Sequence, residues 1–217
     1  MSDARAYHEA ELAIARSPND PRRILPTIPA SARRVLDVGC GAGQSLIALG
    51  LAPTTTAVGI DLDPNALALG ATWTSDVRLV CGSGDSLPFA DDSFDFVFSR
   101  VALPYMHVPT ALREIRRVLA PSGEMWLVLH GPGIVFSQLA DALRGGHAKS
   151  ALFQTYAAVN GVLYHFTGRL LRWPVGGRYE SFQTRRVIPR LQQAGFTDIQ
   201  TEPGPHFILR ARKWGRK

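Results

Sequence analysis

Val35-Leu36-Asp37-Val38-Gly39-Cys40-Gly41-Ala42-Gly43-Gln44 is an apolar run that breaks into three alternating glycines and then opens a helix over Ser45–Leu49. The run Val35–Val38 has the composition of a buried strand of a parallel sheet. Glycines let the backbone turn tightly and approach a ligand closely. The helix start offers free N–H groups and the positive end of its dipole. In open α/β sheets, ligands bind at such strand ends. Taken alone, the loop fits a purely structural turn as well.

Outward from this loop, Ala57–Ile60, Val77–Val80, Phe94–Phe98 and Met125–Leu129 read as further strands separated by helical patterns, which implies a parallel sheet. Asp63-Pro64 supplies an N-cap and a first-turn residue for a helix over Asn65–Thr74. A helix over Ala111–Leu119 closes at Pro121 and Gly123. Residues 131–182 lack strand-like runs and read as a helical cap. Within them Leu152, Tyr156, Val159, Leu163, Phe166 and Leu170 recur at helical steps on one face, until Pro174 and Gly176-Gly177 end the run. A last helix over Arg186–Ala194 stops at Gly195, and Thr197–Glu202 with His206–Arg212 form an antiparallel pair around Pro203-Gly204-Pro205. At the other end, a helical arm with Tyr7, Leu12 and Ile14 available to pack leads through Pro18, Pro21, Pro26 and Pro29 into the first strand.

The 217 residues, 46% of them hydrophobic, are enough for one sizeable core. One domain over 1–217 is expected, made of the arm (1–32), a core (33–130), the cap (131–182) and the last helix with its edge hairpin (183–217). No run of about eighteen apolar residues occurs and the first thirty positions lack a signal-like apolar stretch, so a soluble, unexported protein is expected. Cys40 and Cys81 are too few for a disulfide framework. Each reads as a small buried thiol in a reducing cytoplasm.

The net charge of +6 is uneven: residues 1–130 hold 11 Arg/Lys against 14 Asp/Glu, and residues 131–217 hold 13 against 4. Most of the cations are Arg, whose planar fork suits carboxylate or phosphate. The second half therefore allows weak association with an acidic ligand or a membrane surface, while a solvated basic face is the plainer reading.

Two carboxylates complete the pattern. Asp61 ends the strand Ala57–Ile60, eighteen positions after Gly43, where an acid accepts ribose hydroxyls in nucleotide-binding βαβ units. Asp85 stands in Gly82-Ser83-Gly84-Asp85-Ser86-Leu87-Pro88-Phe89, where it can hold an adenine amino group, although a loop Asp is more often a turn former.

Five separated motifs now share one order: Leu36–Gly43, Gly59-Ile60-Asp61-Leu62-Asp63-Pro64, Gly84-Asp85 with Leu87-Pro88-Phe89, Asp92-Ser93-Phe94-Asp95-Phe96-Val97, and Leu112-Arg113-Glu114-Ile115-Arg116-Arg117-Val118-Leu119-Ala120-Pro121-Ser122-Gly123. The chain thereby resembles the class I S-adenosylmethionine-dependent methyltransferases, in the small-molecule branch related to ubiquinone and menaquinone biosynthesis enzymes, densely over residues 33–130. The resemblance implies a Rossmann-like, doubly wound α/β fold with a mostly parallel seven-stranded sheet and an antiparallel last strand, the helical cap being inserted after strand five. It implies S-adenosyl-L-methionine as cofactor, with Gly39, Gly41 and Gly43 facing the methionine part and Asp37 and Leu62 in the same site. Asp61 would meet the ribose hydroxyls, Asp85 and Ser86 the adenine edge, and Ser99 and Arg100 would line the site near the sulfonium. The family's usual Pro-Gly-Gly before strand five is here Pro121-Ser122-Gly123.

Methyl transfer from a sulfonium needs alignment of a nucleophile, exclusion of water and often one general base. His130, at the carboxyl end of the fifth strand, is the first catalytic candidate, with a hydrogen-bonded structural role as an equal alternative. His107 and Tyr105 are weaker candidates, followed by Tyr7 and His165. Aromatics of the cap, such as Phe153, Tyr156 and Trp173, suggest an apolar or aromatic small-molecule acceptor methylated on oxygen or carbon. Arg169, Arg172, Arg178 and Arg185 are available for an acidic group on it.

Ser99-Arg100-Val101-Ala102 stands where base-directed amine methyltransferases carry an Asn-Pro-Pro-Tyr-like tetrad, so no nucleic acid is expected as substrate. No His/Cys/Asp cluster has metal-ligand spacing, and metal independence is expected. A nicotinamide dehydrogenase would need Gly-x-Gly-x-x-Gly, and the third glycine here falls one place early. The remaining alternative is a non-catalytic binding protein of the same fold, or an RNA-directed methyltransferase using the basic C-terminal half, for which no RNA-binding signature is present.

Overall fold

A computed structural model describes residues 2–174, 176–177, 179–202 and 206–215. In chain order the elements are α1 (Ser2–Arg16), β1 (Arg34–Val38), α2 (Gln44–Leu49), β2 (Thr56–Asp61), α3 (Pro64–Ala71), β3 (Val77–Cys81), β4 (Phe94–Arg100) and a short 3-10 turn (Leu103–Tyr105). They continue with α4 (Val108–Val118), β5 (Leu119–Leu129), α5 (Pro132–Arg144), α6 (Ala148–Thr167), α7 (Val187–Gln193), β6 (Phe196–Glu202) and β7 (Phe207–Lys213). The seven strands form one sheet in the order β3-β2-β1-β4-β5-β7-β6. The first five strands are parallel, and β7 runs antiparallel to both β5 and β6. Because β2 and β4 flank β1, the connections leave β1 in opposite directions and open a crevice at the carboxyl ends of these strands.

The central strands are apolar throughout because both faces are covered. Leu36, Val38, Val97, Leu127 and Leu129 pack with Ala111, Ile115 and Val118 of α4. On the opposite face Val35, Phe96, Phe98, Trp126 and Val128 pack with Leu46 of α2. Alternation along each strand thus feeds two cores.

Several boundaries move for identifiable reasons. Asp63 caps α3 as expected, its Oδ1 accepting the Asn65 N–H at 2.9 Å, but α3 stops at Ala71. There the Thr72 hydroxyl turns back onto the Leu69 carbonyl at 2.6 Å. Strand β5 begins at Leu119 rather than Met125: Leu119 pairs with Phe94, and pairing resumes at Glu124 with Phe96 after a register shift. Ser122, inside that detour, takes a φ of 63°. Cys40 is buried, whereas Cys81 is exposed at the end of the edge strand β3.

The largest departure concerns α6. The helix ends at Gly168, whose left-handed backbone (φ 75°) donates to the Tyr164 carbonyl, well before Pro174. Leu170 therefore lies beyond it. The apolar face read from the sequence points outward, with Leu152 63%, Val159 55% and Phe166 75% exposed. The docked face is Ala157, Asn160, Gly161 and Tyr164. Small size and hydrogen bonding decide that orientation: a Cβ on Gly161 would lie 2.2 Å from the Phe182 ring. The Asn160 amide donates to the Glu180 carbonyl at 2.9 Å and accepts the Leu171 N–H at 2.8 Å. Arg178 and Pro203-Gly204-Pro205 lie outside the described residues. No helix among those described is long and apolar enough to cross a membrane.

Candidate active site

Strands β1, β2 and β4 end at one edge of the sheet, and the glycine loop crosses it. Gly39, Gly41 and Gly43 adopt φ of 78°, 57° and 77°. The Gly39 and Cys40 N–H groups donate to the Ile60 carbonyl at 2.8 and 3.1 Å, which pins the loop to β2. At the end of β2, Asp61 accepts the Gly41 N–H through Oδ2 at 2.7 Å and the Asp63 N–H through Oδ1 at 2.9 Å. A Cβ at Gly39 would fall 2.1 Å from the Ala102 Cβ, so only glycine fits between β1 and the segment after β4.

Two cavities open here, of about 400 and about 250 Å³, and they share Gly39, Asp61, Ala102 and Tyr105. Tyr7, His8 and Glu11 of α1 and Arg100 of β4 wall the larger one. Leu62, Gly84, Asp85 and Met106 wall the smaller one. A hollow of about 550 Å³ beside Arg16, Thr55, Trp73 and Val77 lies at the amino ends of β2 and β3, away from the crevice, and is not part of this site.

Charge is concentrated around the loop. Asp37 is buried, and one carboxyl oxygen has no hydrogen-bond partner among the described residues. Burial pushes its carboxyl up to about 8, against the pull of Arg100 and with a further push from Asp61. Arg100 donates to Glu11 at 2.7 Å and to the Ser45 hydroxyl at 3.2 Å, and Gln44 pairs with His8 Nδ1 at 2.7 Å. These contacts lay α1 over the larger cavity.

Asp85 accepts the His107 N–H through both oxygens, at 3.1 and 3.2 Å. Burial raises its carboxyl above the ordinary aspartate range, and the His107 N–H partly offsets this. Its loop is braced by the fifth sequence motif: Glu114 accepts the Leu87 N–H at 2.8 Å, and Arg117 donates to the Leu87 and Phe89 carbonyls at 2.9 and 2.7 Å. The Arg117 guanidinium holds the Glu114 carboxyl below the usual range.

Of the expected site residues, Gly39, Gly41, Asp61, Leu62, Asp85, Arg100 and Tyr105 stand in the cavity walls. Gly43 holds the N-cap position of α2. Ser99 and Ser86 are not brought to the walls. Ser99 is fully buried with its hydroxyl donating to the Val38 carbonyl at 2.8 Å, because successive strand residues face opposite ways and Arg100 takes the cavity side. Ser86 is exposed on the outside of a turn closed by its N–H on the Ser83 carbonyl at 3.1 Å.

The histidines separate by environment. His107 Nδ1 lies 2.7 Å from the Thr110 hydroxyl, and its ring packs on Tyr179 at 5.2 Å. His165 Nδ1 pairs with the Thr184 hydroxyl at 2.8 Å. His130 sits just past β5, 6% exposed, edge-to-face with Tyr105 at 5.6 Å, and its Nδ1 has no hydrogen-bond partner among the described residues. Burial lowers its pKa, favouring the neutral ring.

The sequence reading missed His8, Glu11, Gln44, Ala102 and Met106. Glu11 and Arg100 are 89 positions apart, so no local pattern announces their pairing. Val101 was also unmarked, yet this β-branched residue takes a φ of 64° between Arg100 and Ala102, a strained conformation of the kind concentrated at functional sites.

The fold and the crevice define an open α/β protein with cavities at its strand ends, and comparison with known proteins narrows that class. The family model described as a methyltransferase domain matches residues 36–127. Malonyl-acyl-carrier-protein O-methyltransferase from Halorhodospira halophila is 46% identical over 63 residues, 29% of this chain and 21% of that protein. Demethylmenaquinone methyltransferase from Bacillus velezensis is 44% identical over 54 residues, 24% of this chain and 22% of that protein. The matched segments thus span about a fifth of the length of these curated relatives. A solved S-adenosylmethionine-dependent methyltransferase from Methanosarcina mazei superposes with a TM-score of 0.57 at 20% identity, covering 87% of this chain and 95% of that one.

Residues 36–127 therefore match a methyltransferase domain, on a fold shared with a solved S-adenosylmethionine-dependent methyltransferase. The site fits that cofactor: glycines leave open the space that a Cβ would fill, carboxylates stand in both cavities, and Asp37 holds a buried oxygen without a partner.

Proposed function

We propose that the protein transfers the methyl group of S-adenosylmethionine to oxygen or carbon of a hydrophobic small molecule. The observation that carries this reading is the pair of cavities joined at Gly39 and Asp61, with Tyr105 in the wall of both. When bound, the cofactor supplies a methyl group already activated on a sulfonium. The backbone of Gly39–Gly43 would hold its methionine part, with Arg100 available to the carboxylate. Asp61 would hold the ribose hydroxyls, and Leu62 and Asp85 would face the adenine. Asp61 need not release the loop for this, since a carboxylate has about four acceptor positions and only two are used by Gly41 and Asp63.

The protein then contributes alignment and dryness. Helix α1 covers the larger cavity through Tyr7, His8 and Glu11. His130, whose pKa burial lowers towards the neutral ring, is in the protonation state a base requires, and its ring meets that of Tyr105, which lines both cavities. His107 is the weaker candidate because its ring is committed to Thr110 and Tyr179. On this reading residues 1–32 are an arm over the cofactor, 33–130 bind it, 131–182 cap the acceptor and 183–217 complete the sheet. Within that cap Phe153, Tyr156 and Trp173 pack on one another with ring centroids 4.8 to 5.8 Å apart.

Methyl-labelled cofactor offered with a panel of phenolic, quinone-like and lipid-derived acceptors, alongside protein and nucleic acid, tests the assignment. Label in a small apolar product supports it. Label in protein or nucleic acid alone overturns it.

A further inference from the structure

We infer that the outward face of α6 docks on an anionic lipid surface. The helix spans 20 residues, about 30 Å. Ala148, Leu152, Thr155, Val159, Val162 and Phe166 follow one another at steps of four and three along its whole length, and every one is exposed. No charge interrupts the stripe, and its four large members are 44% to 75% exposed. A solvent-facing helix surface is ordinarily polar or charged, and a continuous exposed apolar patch marks an interaction site.

The surrounding charge selects the occupant. From Ala142 to Tyr179 the sequence holds Arg144, Lys149, Arg169, Arg172 and Arg178 and neither Asp nor Glu, Arg144 being paired with Asp141 just outside this stretch at 2.9 Å. Exposed Lys149 stands in the first turn of α6 and exposed Arg169 lies two positions past its last residue, Thr167, so a cation sits near each end of the stripe. That is the arrangement of an interfacial helix, whose apolar face sinks below the headgroups while cations at the polar level meet anionic phosphates. A second copy of the chain fits poorly. A twofold contact through this face would set cation against cation, Lys149 meeting either Lys149 or Arg169 of the other copy, with no acidic residue between Ala142 and Tyr179 to relieve them.

Sedimentation of the intact protein with vesicles tests this, using phosphatidylcholine alone and phosphatidylcholine mixed with phosphatidylglycerol. The wild-type protein is expected to bind the anionic vesicles at least about tenfold more tightly than the neutral ones, and less tightly as salt is raised. The double variant Val159→Asp/Phe166→Asp, altered only at exposed positions, should lose about tenfold or more of that binding. Lys149→Glu/Arg169→Glu should lose the preference for anionic lipid. Both variants should keep the wild-type melting temperature and S-adenosylmethionine affinity, which separates this inference from the proposed catalytic function. Failure of the wild-type protein to sediment with anionic vesicles would overturn it, as would undiminished binding by the aspartate variant. A concentration-dependent dimer that Val159→Asp dissolves, seen by light scattering, would assign the face to a second copy instead.

Discussion

Glu11 and Arg100 meet at 2.7 Å across 89 positions of sequence, tying α1 to the carboxyl end of β4. Their side chains are 22% and 19% exposed, so the pair is shielded enough to couple measurably. A double-mutant cycle on thermal stability with Glu11→Gln and Arg100→Gln is expected to return a coupling of about 1 kcal/mol. Strict additivity would show that α1 is held by other contacts. Arg100→Gln should also weaken S-adenosylmethionine binding more than Glu11→Gln does, because only the arginine is assigned a contact with the cofactor.

Gly39→Ala should fail for two separable reasons. Its φ of 78° is unfavourable for any side chain, and the new methyl would collide with Ala102. A loss of at least about 2 kcal/mol is expected, about 4–8 °C in melting temperature for a chain of this size. Adding Ala102→Gly should recover the collision but not the backbone strain. Gly50→Ala is the control: φ is 54° there with open space around it, so backbone strain alone acts. Equal losses at both glycines would show that the close approach to Ala102 contributes nothing.

Asp37 should make the fold less stable as pH rises. Its folded carboxyl titrates at about 8 against an ordinary 3.8, so between those values the folded chain holds a proton that the unfolded chain has released. More protons bound in the folded state means that stability falls with increasing pH across that window. Asp37→Asn removes this dependence. Melting temperatures of the two proteins should diverge in favour of asparagine from pH 5 to pH 8, and a constant offset would contradict the buried, protonated carboxyl.

Ser122 adopts a left-handed φ of 63°, a conformation that favours glycine. Exchange to glycine relieves about 1–2 kcal/mol of strain and adds some unfolded-state entropy. Ser122→Gly is expected to stabilise the protein by about 0.5–1 kcal/mol. Denaturant unfolding measures this, and destabilisation would mean that the serine side chain supplies a compensating contact.

Much of this architecture can be read from residue pattern alone, for a physical reason. Strands β1, β2 and β4 are covered on both faces, so their apolar runs are continuous, and the Asp63 cap is a contact two residues long. The positive φ of all three loop glycines matches the need for glycine there. The orientation of α6 is illegible because periodicity marks an apolar face without saying what it meets. Gly161 and Asn160, neither of them hydrophobic, determine which side docks. Ser99 and Arg100 are adjacent, and only knowledge of the pleat tells which one faces the cavity. Contacts from Glu11 and His8 arise from chain return over long separations, which no local motif encodes.

Asp61 joins the glycine loop to both cavities, so calorimetric titration of S-adenosylmethionine into the wild-type protein and Asp61→Ala tests the central claim most directly. Saturable binding is expected for the wild type, with the demethylated product competing and NADH giving no heat. The variant, shown to be folded by its melting transition, should bind at least about tenfold more weakly, a loss of about 1.4 kcal/mol or more. Absence of binding to the wild-type protein, or equal affinity in both, would contradict the assignment.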